Sequence, residues 1–276
     1  MEVFAAMASS FRRLSSLLVF VGFLSLLRPC ACYNRMNSSD TDLAMSPAVA
    51  TWYGAAEGPG STACMCIIYT GGACGYGDGV AKAPFDSKIS AGGTSLYKSG
   101  KGCGACYQVA CTANPACSGS PVTVVITDQC PGGPCASDSV HFDLSGAAFG
   151  AMAKPGQADA LRSVGSIQIQ YARVPCSYPG FHVAFRVDDG SNSNYLAVLP
   201  EFVNGDGEIS AVEVGQGSSW TPMQNSWGAL WKLNAPVPGP ASIRLTSAVS
   251  SKTIVATNVI PAGWRPGATY YSNVNF

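Results

Sequence analysis

Ten cysteines crowd between Cys64 and Cys176, and the hundred residues that follow contain none. An even set of thiols reads as disulfides if the chain leaves the reducing cytosol, and its start indicates that it does. Arg12 and Arg13 precede an apolar run over residues 14–27, followed by Pro29, Cys30, Ala31 and Cys32. A basic flank, a short apolar core and small residues make a secretory signal peptide over residues 1–31. A membrane-spanning helix needs about 20 apolar residues, and no second run of that kind follows. The expected product is secreted and extracellular, with no transmembrane segment. Cys103 and Cys106, two residues apart, resemble a redox or zinc motif. An oxidising compartment and a total of two histidines argue against both, so no metal and no cofactor is expected. Two short loops hold turn-forming residues that can bring their ends together. One runs from Cys111 to Cys117 around Asn114-Pro115, the other from Cys130 to Cys135 around Pro131-Gly132-Gly133-Pro134. Asn37-Ser38-Ser39 is an N-glycosylation acceptor.

The end of the cysteine-rich stretch, followed by Ser177-Tyr178-Pro179-Gly180, marks a boundary between two domains, residues 48–176 and 180–272. Both read as β. Charged residues are only 12% of the chain, while glycine and proline number 31 and 18, so turns punctuate short apolar segments. Residues 106–111, 122–127 and 167–174 read as strands of the first domain. Ser145 is placed to cap a helix over residues 146–153, stopped near Pro155-Gly156. In the second domain Phe181, Val183, Phe185 and Val187 alternate with His182, Ala184 and Arg186. Further strands are expected over residues 195–203, 208–214, 229–233, 243–249 and 253–259. Six or seven strands in about ninety residues fit a β-sandwich. Asn204-Gly205-Asp206-Gly207 reads as a tight hairpin, not a calcium loop, because the ligands expected further on are missing. Without its leader the chain carries 13 basic and 15 acidic residues. That balance excludes a nucleic-acid binder, which needs cationic excess to neutralise phosphates.

Few residues suit chemistry. In an extended segment His141 and Asp143 project together, with Phe142 packed behind them. Such a pair suits a general acid, or a hydrogen-bonded pair that fixes the start of the next helix. Asp128, after an apolar strand, is a turn residue unless folding brings it to Asp143, since glycoside cleavage requires two carboxyls flanking one bond. Thr51-Trp52-Tyr53-Gly54, Tyr195, Trp220, Trp227, Trp231 and Trp264 supply aromatic surface of the kind that stacks on sugar rings, or that fills a core. Trp227 and Trp231 take different sides only if Trp227-Gly228 forms a turn. No Gly-x-Ser-x-Gly elbow marks a serine hydrolase.

Together these segments resemble the plant expansins. Thr51-Trp52-Tyr53-Gly54, Gly71-Gly72-Ala73-Cys74-Gly75-Tyr76, Gly102-Cys103-Gly104-Ala105-Cys106 and His141-Phe142-Asp143-Leu144-Ser145 carry the likeness. Gln129 to Cys135, Ala151-Met152-Ala153, Asn194-Tyr195-Leu196-Ala197 and Ser226-Trp227-Gly228-Ala229 are similar to the β-expansin branch. The resemblance implies an all-β protein, a six-stranded double-psi β-barrel followed by an immunoglobulin-like β-sandwich. It implies a monomeric cell-wall protein whose partners are cellulose and matrix polysaccharides, glucans and arabinoxylan among them. Such a protein loosens walls by disturbing non-covalent contacts, without hydrolysis. By motif, Asp143 stands where family-45 glycoside hydrolases place their general acid, and Thr51, Tyr53, Asp128 and His141 line the same groove. Tyr195 and Trp227 match the flat binding face, which Trp52 extends into the first domain. The family pairing joins Cys74 to Cys103, Cys106 to Cys176 and Cys111 to Cys117; Cys130 with Cys135 is our addition.

Two departures follow. The related hydrolases carry a Tyr-Trp-Asp segment whose Asp is the base, and its counterpart here reads Trp52-Tyr53-Gly54. Without a base to activate water, inverting hydrolysis is slow. Residues 61–70 also bring Cys64, Cys66 and an apolar patch where the family has a few polar residues, either as a true insertion or as a gene-model error such as retained intron sequence. Two other functions are weighed beside loosening: passive polysaccharide binding and weak family-45-like endoglucanase activity.

Overall fold

A computed structural model describes residues 44–60 and 72–276. The leader, Asn37 and the segment with Cys64 and Cys66 lie outside the described residues. Six strands close into a barrel: β1 (Ser46–Tyr53), β2 (Ile89–Gly92), β3 (Cys106–Ala110), β4 (Val122–Gln129), β5 (His141–Ser145) and β6 (Ile167–Val174), in the order β1-β5-β2-β4-β3-β6. β1 runs parallel to β5 and β2 parallel to β4, while the other neighbours are antiparallel. Alternation puts Ala50, Tyr107, Val109, Val124, Ile126, Phe142, Leu144 and Ile169 inside. Helix α1 (Gly146–Ala151) leaves β5 directly, with Ser145 Oγ accepting from Ala148 N–H at 3.0 Å as the expected cap. It stops two residues earlier than the sequence suggests. Helix α2 (Ala158–Arg162) packs beside it.

The second half has nine strands rather than six or seven. β7 (Ala184–Val187), β8 (Leu196–Glu201), β11 (Gln224–Trp227), β12 (Leu230–Leu233) and β15 (Thr269–Tyr271) form one sheet, in the order β11-β12-β8-β7-β15. β9 (Ile209–Gln216), β10 (Ser219–Pro222), β13 (Ala241–Ser247) and β14 (Thr253–Ile260) form the other, in the order β10-β9-β13-β14. Val183, Phe185, Val198, Val212, Val214, Ile243 and Leu245 fill the space between them. The additional strands, β10, β11 and β15, are four residues or fewer, too short for alternation to register. The expected hairpin at residues 204–207 is a crossover instead, because β8 and β9 belong to different sheets. Asp206 serves another turn: its Oδ2 accepts from Ser247 Oγ, Val249 N–H and Ser250 N–H at 2.6, 2.9 and 2.6 Å.

The barrel packs on the outer face of the five-stranded sheet. Tyr76, Phe85, Ile89, Cys106, Val125 and Tyr178 meet Ala197, Leu199 and Leu230 in one buried cluster, so barrel and sandwich belong to one compact unit. Phe181 turns to this junction, with its ring 5.3 Å from Phe202, instead of following Val183 into the sandwich. Gly104 and Gly207 touch there through their backbones, and a Cβ on Gly207 would stand 2.1 Å from the Gly104 carbonyl oxygen. Buried Glu208 takes Lys98 at 3.1 Å and Arg173 at 2.9 Å across the same boundary. Disulfides join Cys74 to Cys103, Cys106 to Cys176, Cys111 to Cys117 and Cys130 to Cys135. Cys103 and Cys106 therefore serve separate bridges.

Candidate functional site

The barrel's outer face carries a row of side chains set by strand register. Thr51 lies opposite Asp143, Asp143 opposite Ala91, and Ala91 opposite Asp128. With strands about 4.8 Å apart, the backbones of Asp143 and Asp128 stand roughly 10 Å from one another. Parity along β4 alone would send Asp128 inward after Val124 and Ile126. A bulge between Ser90–Ala91 and Ile126–Asp128 breaks that parity and brings Asp128 to the Asp143 side. Ala91 is the small residue between them in the row.

Behind Asp143, Phe142 is fully buried in the barrel and His141 is buried too. Thr51 Oγ1 donates to Asp143 Oδ1 at 2.6 Å and lies 2.9 Å from His141 Nε2, while His141 Nδ1 lies 2.7 Å from Asp138 Oδ2. Counting donors restricts the protonation states of this chain. Ionised Asp143 accepts from the Thr51 hydroxyl, and His141 Nε2–H then donates to the Thr51 oxygen. Protonated Asp143 instead donates to Thr51, Thr51 to neutral His141 Nε2, and His141 Nδ1–H to Asp138. Burial pushes the Asp143 carboxyl above the usual carboxylate range; the Thr51 bond and His141 oppose this, and the Asp128 charge adds to it. A proton held on a desolvated carboxyl is the state a general acid needs. Burial, then the Asp128 and Asp143 charges, raise the Tyr53 hydroxyl pKa well above normal. Gly60 packs directly on the Tyr53 ring.

Gly54 (φ +78°) follows Tyr53, and a Cβ there would lie 1.5 Å from the Gly60 carbonyl oxygen. The position that carries the base in the related hydrolases thus has room for no side chain. The 54–60 loop is held in turn by α1, whose Gly146 abuts Ala55 and Ala56. Buried Arg162 bonds Glu57 at 2.5 Å, Asp159 at 2.7 Å and the Gly146 carbonyl at 3.1 Å.

The aromatic candidates separate. Trp227 ends β11, a turn at Gly228–Ala229 follows, and Trp227 is 43% exposed whereas Trp231 is 9% exposed. Tyr195 is half-buried where a tight turn from Asn192 closes, packed against the junction cluster. Trp52 is half-buried against the barrel core, and its indole N–H donates to the Arg162 carbonyl at 2.9 Å. Its strand parity is opposite to Thr51 and Tyr53, so it stands apart from the Asp143 cluster. Trp264 donates to the Val237 carbonyl at 2.6 Å, and Trp220 lies under the Arg244 guanidinium, 4.5 Å from the ring centre. Sequence reading missed Asp138, Arg186 and Gly75. Only Asp138, three residues before His141, had any local signal.

A closed six-stranded barrel with a carboxylate groove, packed on a two-sheet sandwich that exposes a tryptophan, is the build of an expansin. The Expansin C-terminal domain family matches residues 183–261, and a barrel family described as Lytic transglycolase matches residues 89–171. The crystal structure of apo Clavibacter michiganensis expansin has the same fold, with a TM-score of 0.62 and 24% identity over 84% of this chain and 97% of that one. A mutant of that expansin in complex with cellohexaose superposes with a TM-score of 0.63 at 23% identity, with the same coverage. Expansin-B4 of Arabidopsis thaliana is 52% identical, and Expansin-B11 of Oryza sativa subsp. japonica 48%, each over 98% of this chain and all of the relative. The chain belongs to the expansin-B family.

Proposed function

We propose that this protein is secreted to the plant cell wall and loosens it without hydrolysis. It grips cellulose and matrix glucans or arabinoxylan, and it disrupts their non-covalent contacts as a monomer. Residues 48–176 supply the groove, with Thr51, Tyr53, Asp128 and Asp143 along it, while His141, expected there too, is buried behind Thr51. Residues 180–272 supply the platform, with Trp227 and Tyr195, and Trp52 belongs to the barrel end of the strip. The observation that carries this reading is an acid without its base. Asp143 is desolvated as a proton donor requires, while Gly54 is closed against Gly60. A chain held across such a groove meets a proton donor and hydrogen-bonding groups but no carboxylate at position 54, and the other acid, Asp128, already accepts from the Ala73 and Gln129 N–H groups, so water is not activated and the glycosidic bond survives. The cellohexaose complex of a bacterial expansin and the names of the plant relatives support the choice of ligand.

Incubation of the purified protein with cellulose and arabinoxylan tests this reading. We expect the protein in the pellet and no new reducing ends in solution. Reducing ends that rise with time would make it an endoglucanase.

A further inference from the structure

Asp128 shares a row with Asp143, yet one of its oxygens is already occupied. Oδ1 accepts from the backbone N–H of Ala73 at 2.6 Å and of Gln129 at 2.7 Å. Cys74, next in the chain, donates its N–H to the Thr127 carbonyl at 3.2 Å. Gly72 lies so close that a Cβ would stand 2.8 Å from the Asp128 side chain. Residues 73–75 are thus laid along the end of β4 as a short strap, and the bridge from Cys74 to Cys103 ties its middle to the barrel.

The sandwich grips the same three residues from the other side. Ala229 N–H donates to the Cys74 carbonyl at 3.0 Å, and Arg186 donates to the Gly75 carbonyl. Arg186 Nε is buried and makes no hydrogen bond among the described residues; Glu201 Oε1 is 3.7 Å away. The bond to Gly75 is therefore that side chain's directed contact. Gly228 meets Ala73 with no space for a side chain, since a Cβ would lie 2.4 Å from the Ala73 oxygen. The ring of Trp227 rests on Gly75, with its atoms 3.0 and 3.2 Å from where a Cβ would stand. Three consecutive residues therefore run from a groove carboxylate to the seat of the exposed indole.

We propose that Asp128 is a positioning residue: through residues 73–75 it sets the height and tilt of Trp227, and so registers the sandwich platform with the barrel groove. The inference rests on reading those two surfaces as polysaccharide-binding. It assigns the Asp128 carboxylate to backbone N–H groups, a task that an amide oxygen can also perform. A chemical role for Asp128 would require its charge.

The test is a double-mutant cycle on the full secreted chain, read as depletion binding to microcrystalline cellulose. Trp227→Ala should weaken binding about tenfold or more, as loss of a central aromatic does. Asp128→Ala should weaken it about three- to tenfold, within the range for coupled neighbours, and Asp128→Asn should restore it to within about twofold. The combined Asp128→Ala, Trp227→Ala protein should bind no worse than Trp227→Ala alone. Equal losses from Asp128→Ala with and without Trp227, wild-type binding by Asp128→Ala, or no rescue by asparagine would each overturn the proposal. If Asp128→Ala does not fold, Arg186→Met cuts the strap's other hold and must show the same non-additivity. If the wild type binds no cellulose, the functional reading fails. The strap is then judged by acrylamide quenching, where Asp128→Ala must change the Trp227 contribution and leave a Trp227→Phe background unchanged.

Discussion

Burial sets the environment of Asp143 against its own charge. Its folded pKa lies above the ordinary value, chiefly through burial. Between the unfolded and folded values the native state holds a proton that the unfolded chain has released, so stability falls as pH rises from about 4 through the folded pKa. Asp143→Asn removes that penalty and keeps an acceptor for Thr51. We predict that the variant melts no lower than wild type at pH 7, and that any advantage closes toward pH 4. Melting curves at both pH values check this; a variant much less stable at pH 7 would contradict the assignment. This part of the site was legible in the sequence, because His141, Phe142 and Asp143 obey strand alternation. The place of Asp128 was not. One bulge decides its side, and nothing in residues 122–129 announces it.

Most long secondary-structure elements were legible, but β1 (Ser46–Tyr53), eight residues long, was read only as an aromatic motif. β4, β6 and β14 fall where alternation and turn residues put them, and Ser145 caps α1 as expected. The sequence misled at residues 204–207, where glycines that suit a hairpin serve a crossover between sheets. Asp206 is fixed there by acceptor geometry. Partial burial opposes its charge, but bonds from Ser247, Ser250 and Val249 hold the carboxyl near pKa about 2. A lowered pKa contributes stability that is present above the unfolded value of 3.8 and is lost as pH falls toward 2. Asp206→Ala should cost about 1–3 kcal/mol near neutral pH, the usual range for lost bonds to a charged acceptor. Urea unfolding should show the gap to wild type shrinking between pH 4 and pH 2. A gap that stays constant with pH would mean that the turn does not depend on the charge.

At the scale of the molecule, the cysteine boundary at residue 176 separates barrel from sandwich but hides how firmly they are joined. Tyr178, beside the apparent linker, is buried in the junction, and Gly104, Gly207, Gly75 and Gly228 are glycines because backbones or a ring press on them. Such contacts link residues a hundred or more positions apart and leave no periodic trace in the chain. The proposed groove and platform sit on one compact body, so the proposed function has them act on one polysaccharide together. The direct measurement is extension of heat-inactivated grass wall strips under constant load, with wild type and Asp143→Asn side by side and reducing sugars assayed in the bath. We predict extension with wild type, a loss of about three- to tenfold with the variant, the cost of one altered hydrogen bond to the held polysaccharide, and no sugar released in either case. Equal extension by folded Asp143→Asn, or extension that tracks released sugar, would contradict the account.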